Sequence, residues 1–447
     1  MEGKPTLEDI VSLCKRRGFI YQGSEIYGGL AGTWDYGPLG TLLKRNIVDA
    51  WLKFFVDGWD DMYQIDSAIL MNQKVWQASG HVNTFTDPMV ECNNCHAVLR
   101  ADHILEDAEN FNEDQLKDAK CPNCGHTGTL GKARQFNLMF KTQVGPVESE
   151  ENTTYLRPET AQGMFVNFRN IVDSFSPDLP FGIAQVGKAF RNEISPRDFL
   201  FRAREFEIME FEFFIHPNDW EKYFEKWRGD IRSWFKIIGL PEDKIKEIEV
   251  PEADRAHYSK RSVDFEFEYP FGQKEVVGLA YRTDYDLKAH QEASGKNLEY
   301  RSKDGSEPFI PHVIEPTFGV GRHLLAVLAN AYSVDEVEGE QRIFLKLPAK
   351  LAPVKVAVFP LLKNKPELVD KAKEVYKMLQ KQVDGEVMWD DNGNIGKRYR
   401  RQDEIGTPHC VTIDFQTLDD DTVTIRNRDT TEQKRTQTNG LVDALRA

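Results

Sequence analysis

The sequence predicts a large α+β domain built on an antiparallel sheet, followed by a smaller α/β domain. Three observations carry this. Strand-patterned stretches flank a long aromatic helix between residues 186 and 287, strands and helices alternate over the last hundred residues, and two CxxC pairs mark an insertion. At 447 residues the chain is too long for one ordinary core. With 40% hydrophobic and 29% charged residues it reads as globular, and its net charge of −15 argues against a general nucleic-acid coat while leaving room for local basic patches. No apolar run approaches the roughly 18–20 residues of a membrane span, and Met1-Glu2-Gly3-Lys4-Pro5 lacks a signal-peptide core. A cytoplasmic protein with no membrane partner is expected. Six cysteines, four of them in the CxxC pairs, suit a reducing compartment and a metal site.

In chain order, Leu7, Ile10, Val11 and Leu13 keep helical spacing over 6–20, and Gly18 is placed to end that helix. The glycine-rich stretch 27–40 lacks the lysine of a phosphate-binding loop. Leu42, Leu43, Ile47, Val48, Trp51, Leu52, Phe54 and Phe55 then make an amphipathic helix whose wide stripe is buried either internally or across a two-fold axis. Tyr63–Leu70 reads as a strand.

Cys92-Asn93-Asn94-Cys95 and Cys121-Pro122-Asn123-Cys124 are separated by the 25 residues 96–120. Four thiolates on two tight knuckles are the soft tetrahedral donors that zinc prefers. With no open coordination position, such a zinc holds a fold and does no chemistry. His96, His103 and His126 are substitute ligands or surface histidines. In Tyr155–Phe165, Pro158 is placed near a helix start, with Arg157 and Glu159 at its lip, where a glutamate either complements the helix dipole or meets a ligand.

Residues 186–214 read as a β-hairpin whose loop carries Ser195, Pro196 and Asp198. Phe206, Ile208, Phe211 and Phe213 alternate with glutamates, which predicts one apolar and one acidic face. Arg191, Arg197, Arg202 and Arg204 oppose Glu193, Glu205, Glu207 and Glu210 across the ribbon. Guanidinium groups bind phosphate bidentately, Phe206 offers a stacking face and Glu193 can accept from an exocyclic amine, which together suit a nucleoside triphosphate. Cross-strand ion pairs of a solvated hairpin, each worth roughly 0.2–1 kcal/mol, are the alternative.

Asn218 followed by Glu221 reads as a capping box, and the aromatic stripe from Trp220 to Ile238 as core. Strand patterns return at Val263–Phe267 and Glu275–Asp286. Ile314–Leu328 reads as a strand, a glycine turn and an apolar helix, with Arg322 in the first helical turn. A cation there opposes the helix dipole, a local cost that points to function. After a linker at 341–353 come a strand from Val354, a helix 366–380, a strand 386–389, a helix 397–405, a strand 409–415, a hairpin at 423–437 and a last helix, which give a largely parallel sheet. Lys397, Arg398, Arg400 and Arg401 crowd one helix start; such a run is a solvated face or a nucleic-acid contact.

The helix entered through Gly37-Pro38-Leu39-Gly40, the hairpin with Phe190-Arg191-Asn192-Glu193 and Arg202-Ala203-Arg204-Glu205-Phe206, and Gly319-Val320-Gly321-Arg322 resemble motifs 1, 2 and 3 of class II aminoacyl-tRNA synthetases. Arg157–Gly163, His257–Arg261, Arg282–Asp286 and Glu315-Pro316-Thr317 resemble the homodimeric glycyl-tRNA synthetases among them, in the same order over nearly the whole chain. The resemblance implies a catalytic domain over 1–340, with a zinc-ribbon-like insertion at 88–132 and a helical one at 217–256. It also implies an anticodon-binding domain over 348–447, and dimerisation through the motif 1 helix. It implies glycine, ATP, magnesium and tRNA(Gly) as ligands.

By the same resemblance, Arg191 and Arg322 are the catalytic pair. Arg191 holds the α-phosphate, Arg202 the γ-phosphate, and Phe206 with Arg322 sandwiches adenine near Glu193. Asn192, Phe201, Arg204 and Glu205 complete the ATP site on the hairpin, with Glu275, Val276, Gly319, Val320 and Gly321 opposite. Glycine falls to Glu159 and Glu315 at its ammonium, helped by Arg282, Glu210 and Thr317, with Arg100, Phe206, Glu207 and Gly319 nearby. Lys397, Arg398, Arg400 and Arg401 meet the tRNA. Thr317 departs from the usual serine of the family, and its extra methyl narrows the pocket. A synthetase for another small amino acid and a catalytically silent relative are the competing readings.

Overall fold

A computed structural model describes residues 4–104, 113–303, 305, 307–337 and 339–446. The expectations that touch Met1–Gly3 and 105–112, within the charged stretch between the cysteine pairs, lie outside these residues.

Helix α1 (Leu7–Arg17) is held at its start by a capping box of Thr6 with Asp9 and stopped by Gly18, whose φ of +75° suits glycine. Helix α2 (Pro38–Phe55) starts with its proline in the first turn. Gly40 is required there, because a Cβ would stand 1.9 Å from the Phe19 carbonyl oxygen. Of its apolar stripe, Leu43, Ile47, Trp51 and Phe55 are fully buried within this chain, while Leu42, Val48, Leu52 and Phe54 are half-buried.

The central sheet has seven strands. They are β1 (Met62–Gln64), β2 (Phe181–Phe190), β3 (Glu205–Ile215), β4 (Ile245–Glu249), β5 (Arg261–Tyr269), β6 (Gly272–Thr283) and β7 (His312–Gly319), in the spatial order β4-β5-β6-β7-β3-β2-β1. Every pairing is antiparallel except β2 with β1. On one face of the sheet, α2 and the helix α3 (Trp220–Ile237) pack ring against ring: Trp227 lies 4.7 Å and Phe55 5.8 Å from Phe211. Helix α4 (Tyr285–Ser294) follows β6, and α5 (Val320–Ala331) continues directly from β7. No described helix is long and apolar enough to cross a membrane.

Three local expectations are corrected. The strand expected over 63–70 is two, Met62–Gln64 in the central sheet and Leu70–Met71 in a small separate one, because the chain between them turns to offer the Ser67 carbonyl to Arg157 at 2.8 Å. Arg157 is consequently buried under β2, not at a helix lip. Asn218 and Glu221 form no capping box. Pro217–Asp219 is a 3₁₀ turn in which the Asn218 N–H donates to His216 Nδ1.

The stretch from Gln341, expected as a linker, lies in strand β9 (Glu340–Leu345), paired antiparallel with β8 (Tyr332–Val337). Arg342 of β9 reaches two ways, to Asp335 and to the buried Asp403, which also takes Arg426 at 2.8 Å. Beyond it, β10 (Val354–Pro360), β11 (Glu386–Trp389), β12 (His409–Ile413), β13 (Thr422–Asn427) and β14 (Gln433–Gln437) make one sheet in the order β11-β10-β12-β13-β14. It is mixed, not largely parallel: β10 runs parallel to β11 and β12, and the remaining pairings are antiparallel. Helices α6 (Pro366–Gln382) and α7 (Ile395–Ile405) stand where alternation placed them, and a short helix at Phe415–Asp420 was not foreseen.

Candidate active site

The hairpin exists with Phe190 opposite Glu205 and Gln185 opposite Glu210. Its faces differ from expectation. Strand β3 runs unbroken, so Phe206 and Ile208 share parity with Glu210 and Glu212, while Met209, Phe211, Phe213 and Ile215 take the other side. The apolar face therefore belongs to the core, and the other carries both a ring and carboxylates. Two contiguous cavities open on it.

The larger, about 300 Å³, is bordered by Arg100, Arg191, Arg202 and Arg322, by Glu193 and Glu275, and by Phe201 and Phe206. Arg100 is held tightly, by Asp102 at 2.6 and 3.1 Å and by Asp87 at 2.5 Å, and the other cations have fewer anionic partners. Arg202 Nη1 stands 3.6 Å from Glu193, and Arg322 Nη1 stands 2.9 Å from Glu275, which compensates the cation at the start of α5. Among the described residues Arg191 donates only through Nε, to the Pro158 carbonyl, and its guanidinium lies 5.4 Å from the rings of both Phe85 and Phe206. Arg322 rests on Phe201 at 4.5 Å. The Phe206–Arg322 sandwich is thus not preformed, although both side chains border the same space. Gly319 and Gly321 line it as expected.

The smaller cavity, about 250 Å³, is bordered by Glu159, Glu210, Glu315, Thr317 and Tyr258, and shares Arg191, Ile208, Glu275 and Thr317 with the larger. Glu210 accepts from Thr160 Oγ1 at 2.5 Å and Thr317 Oγ1 at 3.0 Å. The threonine hydroxyl therefore does what a serine would. Arg282, fully buried, donates Nε and Nη2 to Asp286 at 2.8 Å and Nη1 to Glu315 at 2.7 Å, under the ring of Tyr258 at 3.7 Å. Glu159 has His81 Nε2 at 3.2 Å and Gln162 Nε2 at 3.0 Å. Burial raises its pKa, but His81 and Arg282 outweigh that and hold it well below the usual carboxylate range. Glu210 goes the other way, pushed up to about 8 by burial and then by Glu315 and Glu159.

Several assigned residues lie elsewhere. Glu205 pairs with Lys188 in the open, and Glu207, which borders the larger cavity and not the glutamate-lined one, pairs with Lys44 of α2 at 2.8 Å; their odd parity turns them from the carboxylates of Glu210 and Glu212. Arg204 spends its guanidinium on the carbonyls of Glu193 and Ala31. Asn192 hydrogen-bonds Leu138 through its backbone, and Val276 and Val320 are core. Arg100, Phe206 and Gly319 border the larger cavity, not the glutamate-lined one. Sequence reasoning missed His81, Asp286 and Glu212. Glu212 alone left a signal, a charge inside the apolar run Phe211–Phe214.

The four cysteine sulfurs lie within 4.8 Å of one another, with Cys92–Cys124 at 3.7 Å and Cys95–Cys121 at 3.8 Å. A tetrahedron of sulfurs about 2.3 Å from a zinc ion has edges of about 3.8 Å, so the cluster fits that ion. His96 and His126 stand outside the set: His96 faces Glu91, and His126 Nδ1 faces Asn94 and the Cys124 carbonyl.

Residues 140–331 match the tRNA synthetase class II core domain (G, H, P, S and T), and residues 355–447 the anticodon binding domain. A glycine-tRNA ligase of Streptomyces coelicolor is 48% identical over 96% of this chain and 95% of its own. The chain belongs to the glycine-tRNA ligase family. Glycine-tRNA ligases of Clostridium tetani (48% identical, 99% of this chain and 98% of theirs) and Caldanaerobacter subterraneus (47%, 97% and 96%) are similar throughout. In fold, the chain is similar to Giardia lamblia prolyl-tRNA synthetase, with a TM-score of 0.69 and 15% identity over 99% of this chain and 77% of that one.

On α7, in the domain that glycine-tRNA ligases share with other synthetases, the four cations separate. Arg398 is buried and donates to the carbonyls of Asp391, Gly393 and Pro360, which excludes it from a nucleic-acid surface. Arg401 is tied to Asp390 at 2.8 Å and Arg400 to the Gln341 carbonyl at 3.0 Å, while Lys397 is exposed.

Proposed function

We propose that the larger cavity takes ATP, the acidic one takes glycine, and Arg191 serves both. The enzyme is a ligase that activates glycine with ATP and passes it to the 3′ end of tRNA. One observation carries the assignment of the cavities: Arg191 borders both and keeps its two terminal nitrogens unspent. A guanidinium so placed spans an α-phosphate on one side and a carboxylate on the other. The glycine carboxylate oxygen attacks the α-phosphorus, the new O–P bond replaces the bridging one, and pyrophosphate leaves. The nucleophile is already an anion, so positioning and charge stabilisation suffice. The tRNA ribose hydroxyl then attacks the adenylate carbonyl and AMP departs.

Glu275 and Asp264 would hold a magnesium ion that accompanies the nucleotide: both border the smaller cavity, and burial, Glu275 and Glu266 push the Asp264 carboxyl up to about 7. A hard cation relieves that crowding and, when bound, neutralises charge on the phosphates. Selection of glycine is expected to be steric, with Tyr258, Thr317 and the carboxylates fixing the amino acid so that a larger side chain would be directed at the wall. A structural zinc on the four cysteines, tRNA contact through Lys397, Arg400 and Arg401, a homodimer, and a cytoplasmic location supported by six cysteines none of which is in a disulfide complete the reading. The domain limits that go with it are 1–340, with insertions at 88–132 and 217–256, and 348–447. Arg191→Ala is expected to lower glycine-dependent ATP–pyrophosphate exchange by at least about a hundredfold. Near-native exchange in that variant, or exchange driven as well by alanine or serine, overturns the assignment.

A further inference from the structure

Glu212 sits in the middle of β3, fully buried, and neither of its carboxylate oxygens has a hydrogen-bond partner among the described residues. One of its oxygens, one of Glu210 and one of Glu315 lie within 4.8 Å of one another. The cations of this region are already committed elsewhere. Arg282 is bonded to Asp286 and Glu315, and His81 faces Glu159. Glu210 has two hydroxyl donors, from Thr160 and Thr317, that support its ionised form. Gln162 and His290 bond to one another, and Gln162 to Asp286. Among the described residues no donor supports an anion at Glu212, and the nearby Arg282 charge offsets its burial only in part, so an ionised carboxylate in such a place costs far more than holding a proton.

We propose that Glu212 is a neutral carboxylic acid in the working enzyme and acts as a positioning residue, donating its O–H to the Glu210–Glu315 carboxylate pair and keeping those acceptors aimed at the substrate cation. Burial first, and then Glu315, set its pKa well above the ordinary carboxylate value, in the same sense. One incoming ammonium supplies one positive charge. It offsets the ionisation of Glu210 and leaves Glu212 with its proton, so Glu212 is neutral with or without glycine. A divalent cation would need several further oxygen ligands, and on this edge of the cluster it would meet the Arg282 guanidinium. The proton is the better occupant.

The proposal rests on the glycine reading only in its kinetic arm, so two independent readouts are needed. In the infrared difference spectrum of native enzyme against Glu212→Gln at neutral pH, a carbonyl band of a protonated carboxylic acid, shifted in heavy water, is expected. Carboxylate bands alone overturn the proposal. In pyrophosphate exchange, Glu212→Gln, which is neutral and retains a donor, keeps its KM for glycine within about threefold of native. Glu212→Leu, which has no donor, raises it by about tenfold, the worth of one hydrogen bond to a charged group. A glutamine variant as impaired as the leucine one overturns the proposal, as does a stoichiometric divalent ion in dialysed native enzyme that Glu212→Gln loses. Native enzyme with no exchange on glycine sinks the glycine reading instead, and the infrared band still decides the state of Glu212.

Discussion

The two cavities differ in how their charges are kept. Around the larger one the guanidinium groups of Arg191, Arg202 and Arg322 are partly exposed, and their anionic partners sit at 2.9 and 3.6 Å where they have any. Around the smaller one the carboxylates Glu159, Glu210 and Glu315 are buried with specific partners, as in the Arg282–Asp286–Glu315 bridge, and Glu212 beside them is buried without one among the described residues. A triphosphate brings its own charge and can trade places with weak ion pairs. The smallest amino acid brings little surface, so its site has to be rigid before it arrives.

The contrast is broken most directly by removing one cation from each side. Arg282→Met leaves Asp286 and Glu315 buried without a counter-charge and is expected to cost about 3–5 kcal/mol in denaturant unfolding. Arg202→Ala is expected to change stability by less than about 1 kcal/mol while raising the KM for ATP. Equal stability losses would erase the distinction. A smaller effect is expected at Thr317. Thr317→Val withdraws a hydroxyl from Glu210 and should lower kcat/KM for glycine about ten- to a hundredfold, whereas Thr317→Ser should stay within about threefold of native.

The acidic cavity should also read out in pH. Because the folded protein raises Glu210 to about 8, the folded state binds more protons than the unfolded one over the window from the ordinary carboxylate range to about 8, and this group's contribution to stability falls as pH rises through it. Glycine offsets that loss, so its protection against thermal unfolding should be larger at pH 8 than at pH 6, and Glu210→Gln should flatten the difference. The smallest effect is expected far from both cavities. Lys397→Ala should weaken tRNA charging modestly at unchanged stability, while Arg398→Ala should lower stability through the three carbonyls it leaves without a donor.

What could be read in the sequence was what sits on one local element. Arg191, Phe206 and Gly321-Arg322 lie on turns and strand ends whose composition betrays them, and the cysteine pairs carry their chemistry in their spacing. What could not be read needs register or distant partners. Glu205 and Glu207 look like Glu210 until strand parity separates them, and Arg398 looks like Lys397 until the loop carbonyls that enclose it are in place. His81 and Asp286 reach the same pocket from opposite sides of the sequence, so neither has a local signature. The linker was misread because Ile343–Leu345 finds its strand partner in β8 only once α5 has ended.

The buried Arg342–Asp403–Arg426 bridge fastens α7 to the hairpin that leaves the end of α5. A transfer RNA is a stiff body whose two extremities are a fixed span apart. A bolt of this kind sets the protein's side of that span.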